Sequence, residues 1–381
     1  MKKAEFNPFV SLGVTESLKD KMGRGMPNPF ANSLEACAIY WQERERLMYE
    51  LAGDLGLGQE NPSLEYFIPQ YDGRIIIATE YGAKNLQWDD ENNSFWLDKG
   101  GLWANLSSVK EIENIPLPVW EKNPLMQAGI KAFEEVQAKF GKDYARNCGM
   151  GGWTELQLNQ PKEKKTYKFI HLPSFVDLGG YLLGEVEFLT LLAAEPELAN
   201  ALLKKCFLIS LSYAKFCSRI YERPIQGWGS MAGDNSCLLS TDMYRQYAMA
   251  FDAMARQAFG NLPRNLHSCG ASRQLYKIWS DYPEREQIIF LQTRALVGDI
   301  SQIRKSLPNT FIQLTMYLPE IDLTRETQEN IKNYVAQWAE GLGYQNFSIG
   351  AMASTLNDQV RENFYAINEV MNRLVKVENR R

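Results

Sequence analysis

Residues 287–292 read QIIFLQ, residues 299–306 read DISQIRKS and residues 311–316 read FIQLTM. The first and third are short apolar runs of strand length, and the segment between them is polar enough to lie as a helix over a sheet. Short apolar strands alternating with helices are the mark of a parallel sheet covered on its faces. Outward toward the carboxyl end the alternation continues, with a helix over 324–341, a strand at 346–349 and a final helix over 357–377. That last helix puts Val360, Phe364, Ile367, Met371 and Leu374 on one face.

Outward in the other direction the same rhythm holds. The strand before 287–292 lies at 262–266 and leads into Arg264-Asn265-Leu266-His267-Ser268-Cys269-Gly270. Ser240 caps the helix before it, with Asp242 in its first turn where a carboxylate suits the helix dipole, and that helix reaches Phe259. Still earlier come a short strand at 224–228, a helix over 201–221, and two helices over 184–203 parted at Glu195-Pro196-Glu197. About seven or eight strand–helix units without a Gly-x-Gly-x-x-Gly fingerprint after the first favour a (β/α)8 TIM-like barrel over a dinucleotide-binding sheet. The expected organisation is an amino-terminal arm and helix over 1–60 and a barrel domain with a single core over 61–381.

The amino-terminal half is less regular. Ser33 is placed to cap an amphipathic helix reaching about residue 51, and 74–79 (RIIIAT) reads equally as a buried strand or a helix start. A hairpin is expected around 90–101. Met126, Ile130, Phe133 and Val136 mark a helix over 125–140, and 151–168 reads as a long loop, with the run KEKKTYK at 162–168 as a solvated part of it.

Composition narrows the function classes. The chain has 381 residues, 45% of them hydrophobic, and a net charge of −5, with basic residues scattered among acidic ones. That excludes a nucleic-acid footprint and supplies a large core. No apolar stretch approaches the roughly 20 residues that span a bilayer, and residues 1–12 lack the apolar core of a secretory signal. A cytoplasmic protein with reduced cysteines is expected, since the six cysteines show no Cys-x-x-Cys spacing.

The candidate site centres on His267, one of only two histidines. Strand side chains alternate between faces, so His267 and Cys269 point into one pocket, and Gly270 lets the chain leave the strand sharply. Imidazole and thiolate are zinc ligands, but two do not make a site; on spacing alone the pair reads more readily as a hydrogen-bonded pocket histidine and a small buried cysteine. His171, Asp234, His267 and Cys269 all fall where strand carboxyl ends are expected, which is where such folds keep their chemistry.

Three segments carry a family resemblance. They are Leu191-Leu192-Ala193-Ala194-Glu195-Pro196-Glu197-Leu198, the run from Ala232-Gly233-Asp234-Asn235 to Leu239-Ser240-Thr241-Asp242-Met243-Tyr244-Arg245, and Leu266-His267-Ser268-Cys269-Gly270. In this order and spacing they resemble the uroporphyrinogen decarboxylase superfamily, which includes zinc-dependent, corrinoid-linked methyltransferases. The resemblance covers roughly 170–375 and implies a barrel, with His267 and Cys269 as metal ligands. Two departures stand beside it. Residues 1–50 hold no arginine-rich segment of the kind the decarboxylase branch uses for substrate carboxylates, and no cysteine follows Cys269, whereas the methyltransferase branch has a later one.

The resulting expectation is an enzyme that moves a methyl group between a corrinoid on a partner protein and a small substrate, with zinc assistance from His267 and Cys269. Asp234 and His171 are its candidate catalytic residues, and Asn235 and Asn265 its candidate substrate contacts. Two alternatives remain open: a metal-free decarboxylase or other lyase acting on a small carboxylated compound, and a non-catalytic ligand-binding barrel.

Overall fold

The computed structural model describes residues 10–14, 17–29, 31–66, 68, 73–90, 94–97, 103, 105–147, 153–160, 163–171, 174–229, 234–268, 273–294, 300–316, 321–353 and 355–378. Its strands are β1 (Val10–Val14), β2 (Gln87–Asp89), β3 (Ser94–Trp96), β4 (Trp153–Gln160), β5 (Glu163–His171), β6 (Trp228–Gly229), β7 (Arg264–Ser268), β8 (Ile288–Arg294), β9 (Phe311–Met316) and β10 (Phe347–Ala353). Eight of them make one sheet in the order β1-β10-β9-β8-β7-β6-β5-β4. Every neighbouring pair is parallel except β4 and β5, which are antiparallel. This is the α/β architecture expected from the alternation. The pairing of β1 with β4 that would close a barrel is not among the described pairings.

The sheet's two faces differ in a way the strand sequences dictate. In β9, Ile312, Leu314 and Met316 are fully buried, while Phe311, Gln313 and Thr315 between them keep partial exposure. Leu266 of β7, Leu291 of β8 and Ile349 of β10 continue the sealed side. Helices Ile300–Ser306, Gln328–Gly341 and Asp358–Glu378 follow β8, β9 and β10 in turn, and they supply Ile303, Val335, Val360 and Phe364 to the same core. Each such side chain taken fully from water contributes about 1.5–3 kcal/mol. The sealed face therefore anchors the register, because a one-residue slip would turn Gln313 and Thr315 into the core.

Two arginines tie the helices to the strands. Arg264 opens β7 on the sealed side, fully buried, and pairs with Asp252 at 2.7 Å; it also donates to the carbonyls of Pro283 and Glu284 at 3.0 Å. Arg304, in helix Ile300–Ser306, donates to the carbonyls of Leu342, Leu307, Pro308, Thr310, Gln345 and Asn346. These carbonyls lie where chain ends meet, just before β9 and just before β10, and would otherwise need solvent.

Several local expectations change. The stretch expected as a long loop holds the antiparallel pair β4–β5, with Trp153 opposite Ile170 and Gln160 opposite Glu163. The alternation in Thr154-Glu155-Leu156-Gln157-Leu158-Asn159 is a strand pattern, and its polar members masked it. The piece 74–79 belongs to the helix Gly73–Glu80, and the hairpin lies at β2 and β3, ahead of its expected place. Pro196 does open a helix, but that helix runs unbroken to Ile220. Part of the expected amino-terminal arm, Val10–Val14, pairs with β10 as a strand of the main sheet.

Candidate active site on the accessible face of the sheet

In a parallel ladder, residues opposite one another point to the same face, so the register gives rows of side chains. Asn265, Phe290 and Phe311 form the first row on the accessible face, with the two phenyl rings stacked at 6.0 Å. The next is His267, Gln292, Gln313 and Ser348. The third, nearest the strand carboxyl ends, is Arg294, Thr315 and Gly350. Polarity thus rises toward the end of the sheet where ligands bind in open and closed α/β folds.

His267 is half-buried in the second row, and its Nδ1 lies 3.0 Å from Gln292 Oε1. With that amide oxygen accepting, Nδ1 carries the proton and Nε2 is the basic nitrogen. In that tautomer Nε2 carries the ring's lone pair, the one that takes a proton or binds a metal. Around it the row offers two amides and a hydroxyl, and Thr315 stands in the row beyond. Thr315 Oγ1 and Ser348 Oγ are buried without a hydrogen-bond partner.

The other expected site residues are placed unequally. Asn265 sits two residues before His267 on the same face, 6% exposed, and packs against β6, since a Cβ on Gly229 would lie 2.0 Å from its Oδ1. His171 is the last residue of β5, its backbone opposite Gly229; the register therefore brings His171, Asn265 and His267 to one region, although the His171 side chain lies outside the described residues. Asn235 donates its backbone N–H to Asp177 Oδ1 at 2.8 Å. Its amide rests on Gly180, where a Cβ would lie 2.7 Å from Asn235 Nδ2, so helix Phe175–Leu183 fixes Asn235. Asp234 opens the turn Asp234–Leu238, but its side chain lies outside the described residues, as does all of Cys269.

Sequence reasoning passed over Gln292, Gln313, Thr315, Ser348 and Asp177. The signal for three of them is period-two polarity inside runs that are otherwise apolar: glutamine and arginine in IIFLQTR, glutamine and threonine in FIQLTM. A polar side chain at alternate positions of a central strand has to face either a cavity or a partner.

Among the described residues no three of His, Cys, Asp and Glu stand together as a metal site. His267 is one nitrogen donor, and its row neighbours are amides and a hydroxyl, which zinc seldom takes as ligands. The described residues do not complete a zinc set. No helix among them is long and apolar enough to cross a membrane.

No protein-family model matches the chain, and no curated protein does. Among solved structures the chain is similar to a methyltransferase from Methanosarcina mazei, at 14% identity and a TM-score of 0.56, over 96% of this chain and 94% of that one. At that identity the likeness is one of fold, and it runs through nearly the whole chain.

Proposed function

We propose that the chain is a methyltransferase-like enzyme with a (β/α)8 barrel, moving a methyl group between a corrinoid on a partner protein and a small substrate held on the accessible face of the sheet. The observation that carries this reading is His267, held by Gln292 in a polar row at the strand carboxyl ends. The fold likeness to a methyltransferase and the family resemblance around His267 support it.

In this reading the corrinoid supplies or accepts the methyl group. His267 would take, at Nε2, the proton that an acceptor heteroatom gives up as it bonds to the methyl carbon, and the corrinoid, when bound, would keep the electron pair of the carbon bond it releases. Gln292 holds the ring in the tautomer that can do so. Asn265 and Asn235 are the nearby amides for orienting substrate, and Asp234 and His171 are further proton-transfer candidates. Were zinc bound, His267 and Cys269 would hold it, and Nε2 could then not also accept the proton.

The test is spectroscopic. Purified protein is mixed with methylcobalamin and a panel of small thiols and phenols, and loss of the methylcobalamin absorbance is followed. Demethylation that depends on acceptor and drops about 100-fold or more in His267→Ala is expected. Carbon dioxide release from a carboxylated substrate with no methyl donor present would replace this reading by the lyase, and substrate binding without turnover of any donor would replace it by the binding barrel.

A further inference from the structure

Helix Glu185–Ala194 reads EVEFLTLLAA, and after Glu187 its one polar residue is Thr190. A helix apolar on nearly every side belongs in an interior, yet this one lies at the surface. Phe188 and Leu192 are buried on its inner side. Val186 is 72% exposed, the most exposed of the large apolar side chains among the described residues. It borders, with Leu191 and Ala194, an open groove of about 530 Å³. Leu198 and Leu202 of helix Pro196–Ile220 line a second side, and Ile112 of helix Val109–Asn114 lines a third. The junction Leu191–Leu198, singled out by the sequence, thus folds around this groove.

The walls are fixed without any occupant. Helix Val109–Asn114 starts with a capping box between Ser108 and Glu111. At its other end the carbonyls of Glu113 and Ile115 accept from Lys205 Nζ at 2.8 and 2.7 Å. Lys205 belongs to helix Pro196–Ile220 and is buried, so its ammonium clamps one wall of the groove to another. A preformed groove lowers the ordering cost of whatever binds in it.

Charge narrows the occupant. Residues 105–115 and 183–205 hold six glutamates against three lysines, and one of the lysines is the inward-turned Lys205. Glu187 and Glu195 stand at the groove itself, with Glu197 one step beyond. Those three form no ion pair among the described residues. An apolar channel edged by unpaired carboxylates repels an anionic membrane surface. Against a second copy of the same groove, related by a two-fold axis, it would set acid on acid. It suits a helix whose apolar stripe is flanked by lysine or arginine, since their aliphatic stems cover apolar surface while the cationic heads reach the carboxylates.

We propose that this groove docks a basic amphipathic helix of a partner protein. Its apolar residues at i, i+3 or i+4, and i+7 lie along Val186, Leu191, Leu198 and Leu202, and its cations meet Glu187, Glu195 and Glu197. The groove belongs to the helical layer, so the proposal stands whichever reaction the accessible face of the sheet carries.

The probes are three fluorescein-labelled peptides of about 14 residues, or four helical turns. One places leucines in a single helical stripe among lysines, the second scrambles that composition, and the third replaces the lysines by glutamates. Fluorescence anisotropy is followed as each is titrated with the full chain, with Val186→Ser, and with Glu195→Gln combined with Glu197→Gln. The striped lysine peptide is expected to bind the native chain, and the other two to bind at least about tenfold more weakly. Val186→Ser should weaken it about tenfold, and the double glutamine variant about three- to fivefold, an effect that shrinks as salt is raised. Val186 and the two glutamates are exposed, so the unfolding midpoints should stay close to native. The proposal is overturned if the striped peptide fails to bind, if the scrambled or glutamate peptide binds equally well, or if both variants bind like the native chain. Self-association of the native chain that disappears in Val186→Ser would give the groove to a second copy, and flotation with phosphatidylcholine vesicles that disappears in that variant would give it to lipid; either result overturns the proposal.

Discussion

Arg264 and Asp252 meet at 2.7 Å with side chains 0% and 1% exposed, joining the first residue of β7 to the helix Ala250–Phe259. Burial pushes the Asp252 carboxyl up to about 7, while Arg264 and Arg256 pull it back. A pair so sealed adds little net stability, yet losing one member strands the other charge. Asp252→Ala should therefore cost about 3–5 kcal/mol in urea unfolding. Arg264→Met combined with Asp252→Leu should cost much less than the sum of the single changes.

The His267–Gln292 bond gives a prediction of a different kind. Gln292 lies on the accessible face, half-buried, so Gln292→Leu should move stability by no more than about 1 kcal/mol. If His267 is the proton acceptor, losing the group that sets its tautomer should lower kcat by about 10–100-fold, the range seen when a partner that orients a functional histidine is removed. A parallel loss of stability and activity would mark the bond as structural instead.

Metal content is the direct check on the zinc expectation. Elemental analysis of untagged protein and of a Cys269→Ser variant should show zinc near one per chain that falls in the variant if His267 and Cys269 are ligands. Zinc absent from both, or unchanged between them, removes the metal from the mechanism.

The thiols should divide by burial. Burial raises Cys37 to about 11 and Cys217 to about 12, and raises Cys206 further still. At pH 8 a thiol near 11 is about one part in a thousand thiolate, and access is blocked as well. Under native conditions iodoacetamide should label the half-buried Cys237 well before these three, as read by peptide mass spectrometry. Early labelling of Cys206 would show that helix Pro196–Ile220 opens locally.

Arg304 should tolerate no substitute. Its six carbonyl acceptors need the five N–H groups of a planar guanidinium, and burial lowers it to about 10. Lysine offers three donors on a point charge, so Arg304→Lys should cost about 2–4 kcal/mol through orphaned carbonyls. A smaller loss would mean that solvent replaces the missing bonds.

The carboxyl-terminal half was legible because its strands are short apolar runs between turn signals and its helices carry long single-face stripes. Phe311–Met316 and the final helix from Asp358 lie where periodicity puts them. His267 stood out by scarcity, and its strand placed it. What scarcity could not reveal was the row around it: Gln292, Gln313 and Ser348 come from three strands spread over 57 residues of sequence, Gln292 to Ser348, and meet only through register. The hairpin β4–β5 was hidden for another reason. Its charged and polar residues, Glu155 to Lys168, read as solvent-facing, and an antiparallel edge pair needs only alternate apolar positions to form.

The pairing of Val10–Val14 with Phe347–Ala353 sets the order in which the chain can finish folding. Among the described strands, β1 is the earliest in sequence and its described partner, β10, is the latest. Until β10 is in place β9 presents an open edge where β10 should add, and the amino-terminal segment has nothing in the sheet to hold it. Joining the two closes a loop that spans nearly all of the described residues, a contact of high sequence separation that is entropically costly to form.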